Sequence, residues 1–243
     1  MATVHPTMIT FIIPAHNEAR LIAQTLASLH AAARDVNEPY EIIVVDDAST
    51  DTTSALAMRH GSRVVQVNHR QIAAARNAGA GHAQGSLLVF VDADTKIPGA
   101  VLDAAVDAVR AGAVGGGARA RFDGHVPLYG RALAWLWLRL QRLFRLASGC
   151  FIFCTRQAFQ AVGGFDETLY AAEDVVMSRR LQHLGKFVIV QEMVVTSGRA
   201  VRSHSGLEAL RLLAGFILHG PGFFKTRHGP WYDQRRDDPD PAP

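Results

Sequence analysis

Residues 87–94, Leu87-Leu88-Val89-Phe90-Val91-Asp92-Ala93-Asp94, combine an apolar run with two acids. The five consecutive apolar residues predict a strand that is buried on both faces, as the strands of a parallel sheet are. In an extended chain, side chains two positions apart point to the same side, so we expect Asp92 and Asp94 to converge where the strand ends. Open α/β sheets bind ligands at the carboxyl ends of their strands. The stretch therefore predicts a parallel sheet with a ligand site at its edge.

Two neighbouring carboxylates repel each other unless a cation lies beside them. A hard divalent cation with oxygen ligands would fit between Asp92 and Asp94, and such ions often bridge to substrate phosphates. The alternative is a turn, in which Asp92 to Thr95 only ends the strand and caps the next helix. The pattern is compatible with either a metal site or a turn.

Strand and helix patterns alternate over the first hundred residues. Short apolar runs predict strands at 8–14, 41–45, 63–67 and 87–91. Helices are predicted between them, because Leu21, Leu26 and Leu29 recur at helical spacing and residues 70–79 are rich in alanine. This alternation indicates an α/β fold with a mostly parallel central sheet and helices on both faces.

The second half of the chain is predicted to mix strands and helices. Strands are expected at 113–121, 148–155 and 186–190, and helices at 101–109, 127–146, 172–184 and 207–219. The charged, proline-rich tail at 233–243 is predicted to be disordered.

The totals exclude several classes of protein. A chain of 243 residues with 49% hydrophobic residues can bury a full core. The net charge of +3 is too small to argue for a nucleic-acid partner, and no nucleic-acid-binding motif is present. Cys150 and Cys154 lack the second pair that a zinc site needs, so we expect buried thiols in a reducing cytoplasm. No signal peptide and no transmembrane helix are expected, since no apolar run is long enough.

Three predicted strand ends carry polar residues: Pro14 to Glu18, Asp46-Asp47, and Asp92 to Asp94. In a parallel sheet these ends share one edge and can line one pocket. Carboxylates such as Asp46 or Asp47 accept hydrogen bonds from a nucleobase or from ribose hydroxyls, and Arg76 is a candidate partner for a diphosphate. Each residue also has an ordinary explanation, as a helix cap or a solvated side chain.

Glu173 and Asp174 form a further acidic pair at the predicted start of a helix, where acids are favoured by the helix dipole. The preceding Gly163-Gly164 makes the approach a flexible loop, so one of these acids could face the pocket. An ionised carboxylate beside a bound sugar could remove a proton from an acceptor hydroxyl.

Several motifs, in this order along residues 8–190, resemble those of family 2 glycosyltransferases. The matching segments are Phe11-Ile12-Ile13-Pro14-Ala15-His16-Asn17-Glu18, Glu41 to Asp51, Ala75-Arg76-Asn77-Ala78-Gly79, Asp92-Ala93-Asp94, and Gly163-Gly164-Phe165-Asp166-Glu167 followed by Glu173-Asp174. The resemblance implies a GT-A (Rossmann-like) fold, a nucleotide-diphosphate sugar donor, a divalent metal ion and inversion of the anomeric centre.

The resemblance also implies a role for each matching residue. Pro14, Ala15, Glu18, Asp46 and Asp47 would hold the nucleoside, with Asp46 as the base contact, and Arg76 would reach the diphosphate. Asp92 would lie by the ribose and the metal ion, Asp94 would be the main ligand of Mn²⁺ or Mg²⁺ in this DXD motif, and Asp174 would be the general base. The expected organisation is one domain at 1–232, with a nucleotide-binding half at about 8–112 and an acceptor half at about 113–232.

The sequence departs from part of the family pattern. The Gln-x-x-Arg-Trp motif of processive synthases is absent, which favours transfer of a single sugar. The resemblance implies UDP as the nucleotide, and the acceptor is an unidentified sugar, lipid or small molecule. Arg199 or Arg202 could then meet the diphosphate, and His204 could be a third metal ligand. The alternatives are a nucleotidyltransferase, although residues 14–20 are not glycine-rich, and a non-catalytic nucleotide-sugar-binding module.

The predicted helix at 127–146 has a basic arc and an apolar arc. One interpretation packs its Leu/Phe side on the sheet and leaves the arginines in solvent. The other is an interfacial helix that meets anionic lipid headgroups at the inner face of the cell membrane, because basic helices with Trp and Leu suit that boundary. The basic arc consists of Arg131, Arg139, Arg142 and Arg145, and the apolar arc of Leu133, Leu136, Trp137, Leu140, Leu143 and Phe144.

Overall fold

A computed structural model describes residues 7–203 and 205–225. The predicted parallel half of the sheet is confirmed: β3, β2, β1 and β4 lie side by side in that order, and all three pairings are parallel. Its strands and helices are β1 (Ile9–Ala15), α1 (Ile22–Val36), β2 (Tyr40–Asp47), α2 (Thr53–Arg59), β3 (Arg63–Val67), α3 (Ile72–His82), β4 (Leu87–Val91) and α4 (Gly99–Arg110).

Four more strands extend the same sheet beyond β4, so that the described residues form one eight-stranded sheet in the order β3-β2-β1-β4-β7-β6-β8-β5. β7 is antiparallel to both β4 and β6, β6 and β8 are parallel, and β5 and β8 are antiparallel. These strands are β5 (Thr95–Lys96), β6 (Gly115–Phe122), β7 (Phe151–Thr155) and β8 (Phe187–Thr196).

Helices in the second half surround the continuation of the sheet. They are α5 (Leu128–Phe144), α6 (Arg156–Ala161), α7 (Glu173–Leu184), α8 (Arg199–Ser203) and α9 (Gly206–His219), followed by a 3₁₀ turn (Gly220–Lys225). Among the described residues, no helix is long and apolar enough to cross a membrane. His204 and the tail at 233–243 lie outside the described residues.

The core lies on both faces of the sheet because the buried strands alternate their side chains. In β1, Phe11 and Ile13 belong to the cluster beneath α1 and α4, whereas Ile12 belongs to the cluster on the opposite face. Gly79 lets α3 approach that second face, since a Cβ there would collide with side-chain carbons of Ile12 and Val45. The predicted double covering of the sheet is therefore confirmed.

The predicted strands at 148–155 and 186–190 differ from the structure in extent, and one short strand was not predicted. β7 begins at Phe151 rather than at Ser148, because the N–H of Phe151 closes a turn onto the Ser148 carbonyl. β8 continues to Thr196, well past Val190, because it pairs with β6 across a bulge and then with β5. β5 was not predicted, since two residues carry no periodicity.

Candidate active site

A cleft of about 820 Å³ lies where β1, β2 and β4 end. Glu18 follows β1, Asp47 ends β2, and Asp92 and Asp94 follow β4, and all four line this cleft. The strand ends that were expected to share one edge therefore do so. The opposite wall is apolar and is formed largely by α5.

The buried side chain of Arg76 lies between two acidic residues, Asp92 and Glu173. This side chain, carried by α3, is only 1% exposed. Nη2 donates to Asp92 Oδ1 and to the Gly149 carbonyl, both at 2.8 Å, and Nη1 donates to Glu173 Oε1 at 2.6 Å. Burial alone would lower the pKa of Arg76, but the charges of Asp92 and Glu173 outweigh it and raise that pKa. The expected contact of Arg76 with a diphosphate stays a prediction, and the contacts observed here are with two acids.

The loop at 163–167 is held against α3 by the residues of the Arg76-Asn77 motif. The Arg76 guanidinium lies 5.2 Å from the ring centroid of Phe165, within the range of a cation–π contact. Asn77 Oδ1 accepts from the Phe165 N–H at 2.9 Å, and its Nδ2 donates to the Phe165 carbonyl and to Glu167. Gly164 permits this path, because its φ of +77° is one that side-chain-bearing residues rarely adopt. The motif thus fixes the chain that leads to Glu173.

Asp174 lies in the first turn of α7 and faces the same cleft. Its Oδ1 accepts from the Val175 N–H at 2.8 Å, and the Gly149 N–H also donates to the carboxylate. Loss of solvent, followed by the charge of Glu173, raises the pKa of Asp174 to about 7, while Arg76 opposes the shift. A carboxylate with a pKa near neutrality is well matched to accepting a proton. The expected role of Asp174 as the general base stays a prediction.

Asp94 and Glu18 share one cation, the guanidinium of Arg199. Nη1 and Nη2 of Arg199 donate to Glu18 Oε2 and Oε1 at 2.9 and 2.5 Å, and Nη2 lies 3.0 Å from Asp94 Oδ2. Burial would lower the pKa of Arg199, but the hydrogen bond to Glu18 and the charge of Asp94 raise it. The structure thus brings residue 199 to the predicted donor site from a distant part of the chain.

The backbone between Asp92 and Thr95 forms a turn, because the Thr95 N–H donates to the Asp92 carbonyl. The expectation of an extended Asp92-Ala93-Asp94 is therefore wrong. Each carboxylate has its own arginine, Arg76 for Asp92 and Arg199 for Asp94. Both acids still line one cleft.

Asp46 borders a smaller pocket of about 160 Å³ beside the main cleft. Its Oδ1 accepts from the Ser49 N–H at 2.9 Å, and its Oδ2 accepts from the Ser54 hydroxyl. Ala15 is buried and is the register partner of Asp46, while Pro14 lines the main cleft. The residues around the smaller pocket are Asp46, Ala48, Ser49, Gln66 and Val67.

Asp47 organises the chain that follows β3. Its Oδ1 accepts from the N–H groups of His69 and Arg70 at 2.7 and 2.8 Å, and its Oδ2 accepts from the Gln71 N–H at 3.0 Å. These three hydrogen bonds from backbone N–H groups fix the start of α3. They thereby help to fix the position of Arg76, which α3 carries. The observed contacts of Asp47 support the loop, and its expected contact with a nucleoside stays a prediction.

The structure contradicts the interpretation of 127–146 as a helix packed on the sheet by its Leu/Phe side. Leu143 and Phe144 are 72% and 52% exposed. The helix is anchored instead by Gln141, whose Nε2 donates to the Ala118 carbonyl at 3.0 Å, and by Trp137, whose indole N–H donates to Ser148 Oγ at 2.9 Å. The periodicity predicted the helix, but these two polar bonds decide which side faces inward.

The donor set at the strand ends fits a divalent ion that is completed by its substrate. Asp92 and Asp94 offer hard carboxylate oxygens, and Mg²⁺-type ions commonly use one or two carboxylates plus substrate phosphates. Within 7–203 and 205–225, no group of three or more His, Cys, Asp or Glu residues is placed to hold a metal ion, so water or substrate oxygens would complete the ligands of an ion at Asp92 and Asp94. His204, the expected third ligand, lies outside the described residues.

Three residues of the cleft were not singled out by the sequence. His16 Nδ1 is 2.8 Å from the Asp47 carbonyl oxygen, and Arg70 Nη1 is 3.1 Å from His16 Nε2, so both line the cleft beside Asp47. Gly149 lies between the acids, since a Cβ there would be 3.2 Å from Asp174 Oδ2. His16 lies inside the Pro14–Glu18 strand end, which was a usable signal, whereas Gly149 had none. Cys150 and Cys154 are buried free thiols, as expected.

Curated relatives match part of the chain. The chain is 36% identical over 98 residues to an undecaprenyl-phosphate 4-deoxy-4-formamido-L-arabinose transferase of Edwardsiella ictaluri, covering 37% of this chain and 30% of that protein. It is also 36% identical over 98 residues to a validoxylamine A glucosyltransferase of Streptomyces hygroscopicus subsp. jinggangensis, covering 37% and 23%. The matches thus span less than a third of either relative.

Solved structures share the fold over most of the chain. A mannosyltransferase of Pyrobaculum calidifontis, in complex with GDP-Man and Mn²⁺, superposes with a TM-score of 0.68 at 22% identity, covering 89% of this chain and 63% of that one. A glucosyl-3-phosphoglycerate synthase of Mycobacterium tuberculosis, in complex with Mn²⁺ and UDP, gives a TM-score of 0.59 at 22% identity, covering 89% and 80%. The expected GT-A fold is confirmed.

A family model covers more of the chain than the curated relatives do. The model described as glycosyl transferase family 2 matches residues 10–166, which include the strand-end acids, Arg76 and the loop that leads to Glu173. The resemblance in the sequence is thereby confirmed, and the chain belongs to glycosyl transferase family 2.

Proposed function

We propose that this enzyme transfers a single sugar, with inversion, from a UDP-linked donor to a hydroxyl acceptor. The observation that carries the proposal is the cleft in which Asp174, with its pKa near 7, faces the strand-end acids Asp92 and Asp94. Mn²⁺ or Mg²⁺, held by Asp92 and Asp94, would supply positive charge that stabilises the departing diphosphate. The proposed division at residue 112 puts these acids in the nucleotide-binding half and Asp174 in the acceptor half.

In the proposed reaction Asp174 accepts one proton. The acceptor oxygen attacks the anomeric carbon while its proton passes to the Asp174 carboxylate. The bond between the anomeric carbon and the diphosphate oxygen breaks, and the nucleoside diphosphate leaves with the electron pair. Attack from the side opposite the leaving group inverts the anomeric centre. The Val175 and Gly149 N–H groups keep the carboxylate oriented during the transfer.

The nucleoside is assigned to the strand ends of β1 and β2. Asp46 is the proposed base contact, because it borders the smaller pocket and sits beside Ala15 in the register of the sheet. Pro14 and Glu18 would line the path to the ribose, and His16 can stack or hydrogen-bond there. UDP in the complexes of similar fold supports uridine as the first nucleotide to test.

The test of the base is Asp174→Asn, which keeps the shape of the side chain but loses its proton affinity. We expect donor binding to survive and transfer to fall by roughly 10²-fold or more. A thermal-shift screen of nucleotide diphosphates with Mn²⁺ or Mg²⁺ identifies the nucleotide first, because at equal concentration a ligand of higher affinity stabilises the folded protein more. Release of the nucleoside diphosphate then measures turnover.

Asp103→Asn is the matched control for this substitution. Asp103 is exposed on α4 and does not line the cleft. It should leave both donor binding and transfer unchanged. Near-normal turnover of Asp174→Asn would reduce Asp174 to an acid that stabilises the start of a helix.

We further propose that the enzyme works in the cytoplasm and docks at the inner face of the cell membrane through residues 127–146. The outward face of α5 mixes apolar and basic side chains, with Trp135 58% exposed and the Arg139 guanidinium 4.6 Å from its ring centroid. Exposed Leu and Trp interleaved with arginine suit the boundary with anionic headgroups. The relative that acts on undecaprenyl phosphate supports a lipid as one acceptor class to test.

Co-sedimentation with vesicles tests the membrane contact. Binding should require anionic lipid, weaken with salt, and fall when Arg139, Arg142 and Arg145 are changed together to Gln. The matched control changes three exposed arginines elsewhere, Arg34, Arg59 and Arg179, and removes the same charge. Equal loss in both triple variants, or equal binding to neutral vesicles, would contradict a specific role for α5.

A further inference from the structure

The Arg199 guanidinium contacts Asp94, which is the proposed main ligand of the metal ion. Its guanidinium bridges Glu18 and Asp94, with two bonds to Glu18 and one contact of 3.0 Å to Asp94 Oδ2. The bridge joins the end of β1 to the turn after β4, so one side chain spans the two strand ends assigned to the donor.

The two carboxylates of this bridge lie largely away from water. The Glu18 and Asp94 side chains are 7% and 13% exposed. A carboxylate that is largely removed from water favours positive charge nearby. A divalent ion at Asp94 would bring such a charge, and it would compete there with the guanidinium.

The backbone around Arg199 is anchored independently of this bridge. The Gly198 N–H donates to Asp123 Oδ1 at 2.8 Å, and Arg202 Nη1 donates to the Asp123 carbonyl at 2.7 Å. These bonds hold α8 against the end of β6. The Arg199 side chain can therefore leave Asp94 while the helix that carries it stays in place.

We propose that the Arg199 guanidinium pairs with Asp94 until a divalent ion binds there. The guanidinium then pairs with the donor diphosphate. The inference rests on the proposed function and deepens it, because it makes metal binding and diphosphate binding depend on one side chain. In the free enzyme Arg199 lowers the apparent affinity for the ion. In the presence of donor it contributes to nucleotide binding through a planar guanidinium that matches phosphate geometry.

The experiment is a titration with Mn²⁺ alone, followed by electron paramagnetic resonance, on the wild type and on Arg199→Gln. If the guanidinium leaves Asp94 accessible in only a tenth of the molecules, its removal should tighten Mn²⁺ binding about tenfold. The same variant should bind UDP in the presence of saturating Mn²⁺ more weakly than the wild type does. Unchanged or weaker binding of Mn²⁺ to the variant would overturn the inference.

Arg180→Gln is the matched control, because Arg180 is likewise paired with a carboxylate, that of Asp166, and does not line the cleft. It should leave the Mn²⁺ affinity unchanged. Should Arg199→Gln fail to fold, Arg199→Lys keeps a charge near Glu18 but cannot form the two-pronged bridge, so it should also tighten Mn²⁺ binding. An Arg199→Lys affinity equal to that of the wild type would then overturn the inference.

Asp94→Asn separates this inference from the proposed function. If Asp94→Asn abolishes Mn²⁺ binding and Arg199→Gln does not tighten it, the metal site stands and the role of Arg199 fails. If Asp94→Asn leaves Mn²⁺ binding intact, the metal assignment itself fails, and the inference fails with it.

Discussion

Asp174→Asn should change the free energy of unfolding, relative to the wild type, in a more favourable direction at pH 8 than at pH 5. It should do so although it removes the proposed base. The pKa of Asp174 rises from 3.8 to about 7 on folding, because the carboxylate loses solvent and lies beside Glu173. Between these values the folded protein holds a proton that the unfolded chain has released. The free energy of unfolding therefore falls as the pH rises through this window, and an uncharged Asn removes that dependence.

The size of the effect follows from the pKa shift. About two pKa units of the shift lie between pH 5 and pH 7, and about 1.4 kcal/mol per unit gives an upper limit of about 3 kcal/mol. Asp174 is partly exposed, so screening by solvent reduces the expected difference to about 1–2 kcal/mol. The loss of one acceptor for the Gly149 N–H is the same at both pH values and cancels in the comparison.

Urea unfolding of the wild type and Asp174→Asn at pH 5 and pH 8 measures this difference directly. Asp103→Asn, on the exposed side of α4, controls for the loss of one negative charge. The reasoning is refuted if the stability change of Asp174→Asn is equal at the two pH values, or if the control shows the same pH dependence.

Three other substitutions or conditions give further predictions. Asp94→Asn should abolish the metal-dependent part of the thermal shift given by a nucleotide diphosphate while leaving the fold intact, and a full shift would show that Asp94 is not the ligand. Arg76→Met should cost about 3–5 kcal/mol at pH 7 in urea unfolding, because Asp92 and Glu173 lose a buried cation; a cost below about 1 kcal/mol would contradict the burial of this cluster. The cost should shrink toward pH 5, because burial raises the pKa of Asp92 and its carboxyl then takes up a proton more readily. The rate of transfer at saturating donor should rise with pH and reach half its maximum near pH 7, the pKa of Asp174, whereas a flat profile from pH 5.5 to 8.5 would exclude Asp174 as the group that sets the rate.

The sequence by itself determined the architecture of the first half, because the signals there are local. The apolar run at 87–91 and the short strand at 63–67 have the bounds that the structure gives to β4 and β3. Parallel topology then brought the acids after β1, β2 and β4 to one edge without further information. The ordered motifs were also enough to identify the family, and all of them from Phe11 to Asp94 lie within the residues 10–166 that its model matches.

Tertiary structure alone decided which charges meet. Arg76 and Glu173 are 97 positions apart, and Arg199 and Glu18 are 181 apart, so no local pattern links them. A sequence shows that Arg76 can bind an anion, but the folded chain decides that the anions are Asp92 and Glu173.

The orientation of α5 was likewise decided by the fold. Its periodicity predicts a helix with basic and apolar arcs, and hydrophobicity alone would turn Leu143 and Phe144 inward. The bonds from Gln141 and Trp137 to β6 and to Ser148 turn them outward instead. A few buried polar groups must find partners wherever the neighbouring strands present them, and that requirement is invisible until the sheet is assembled.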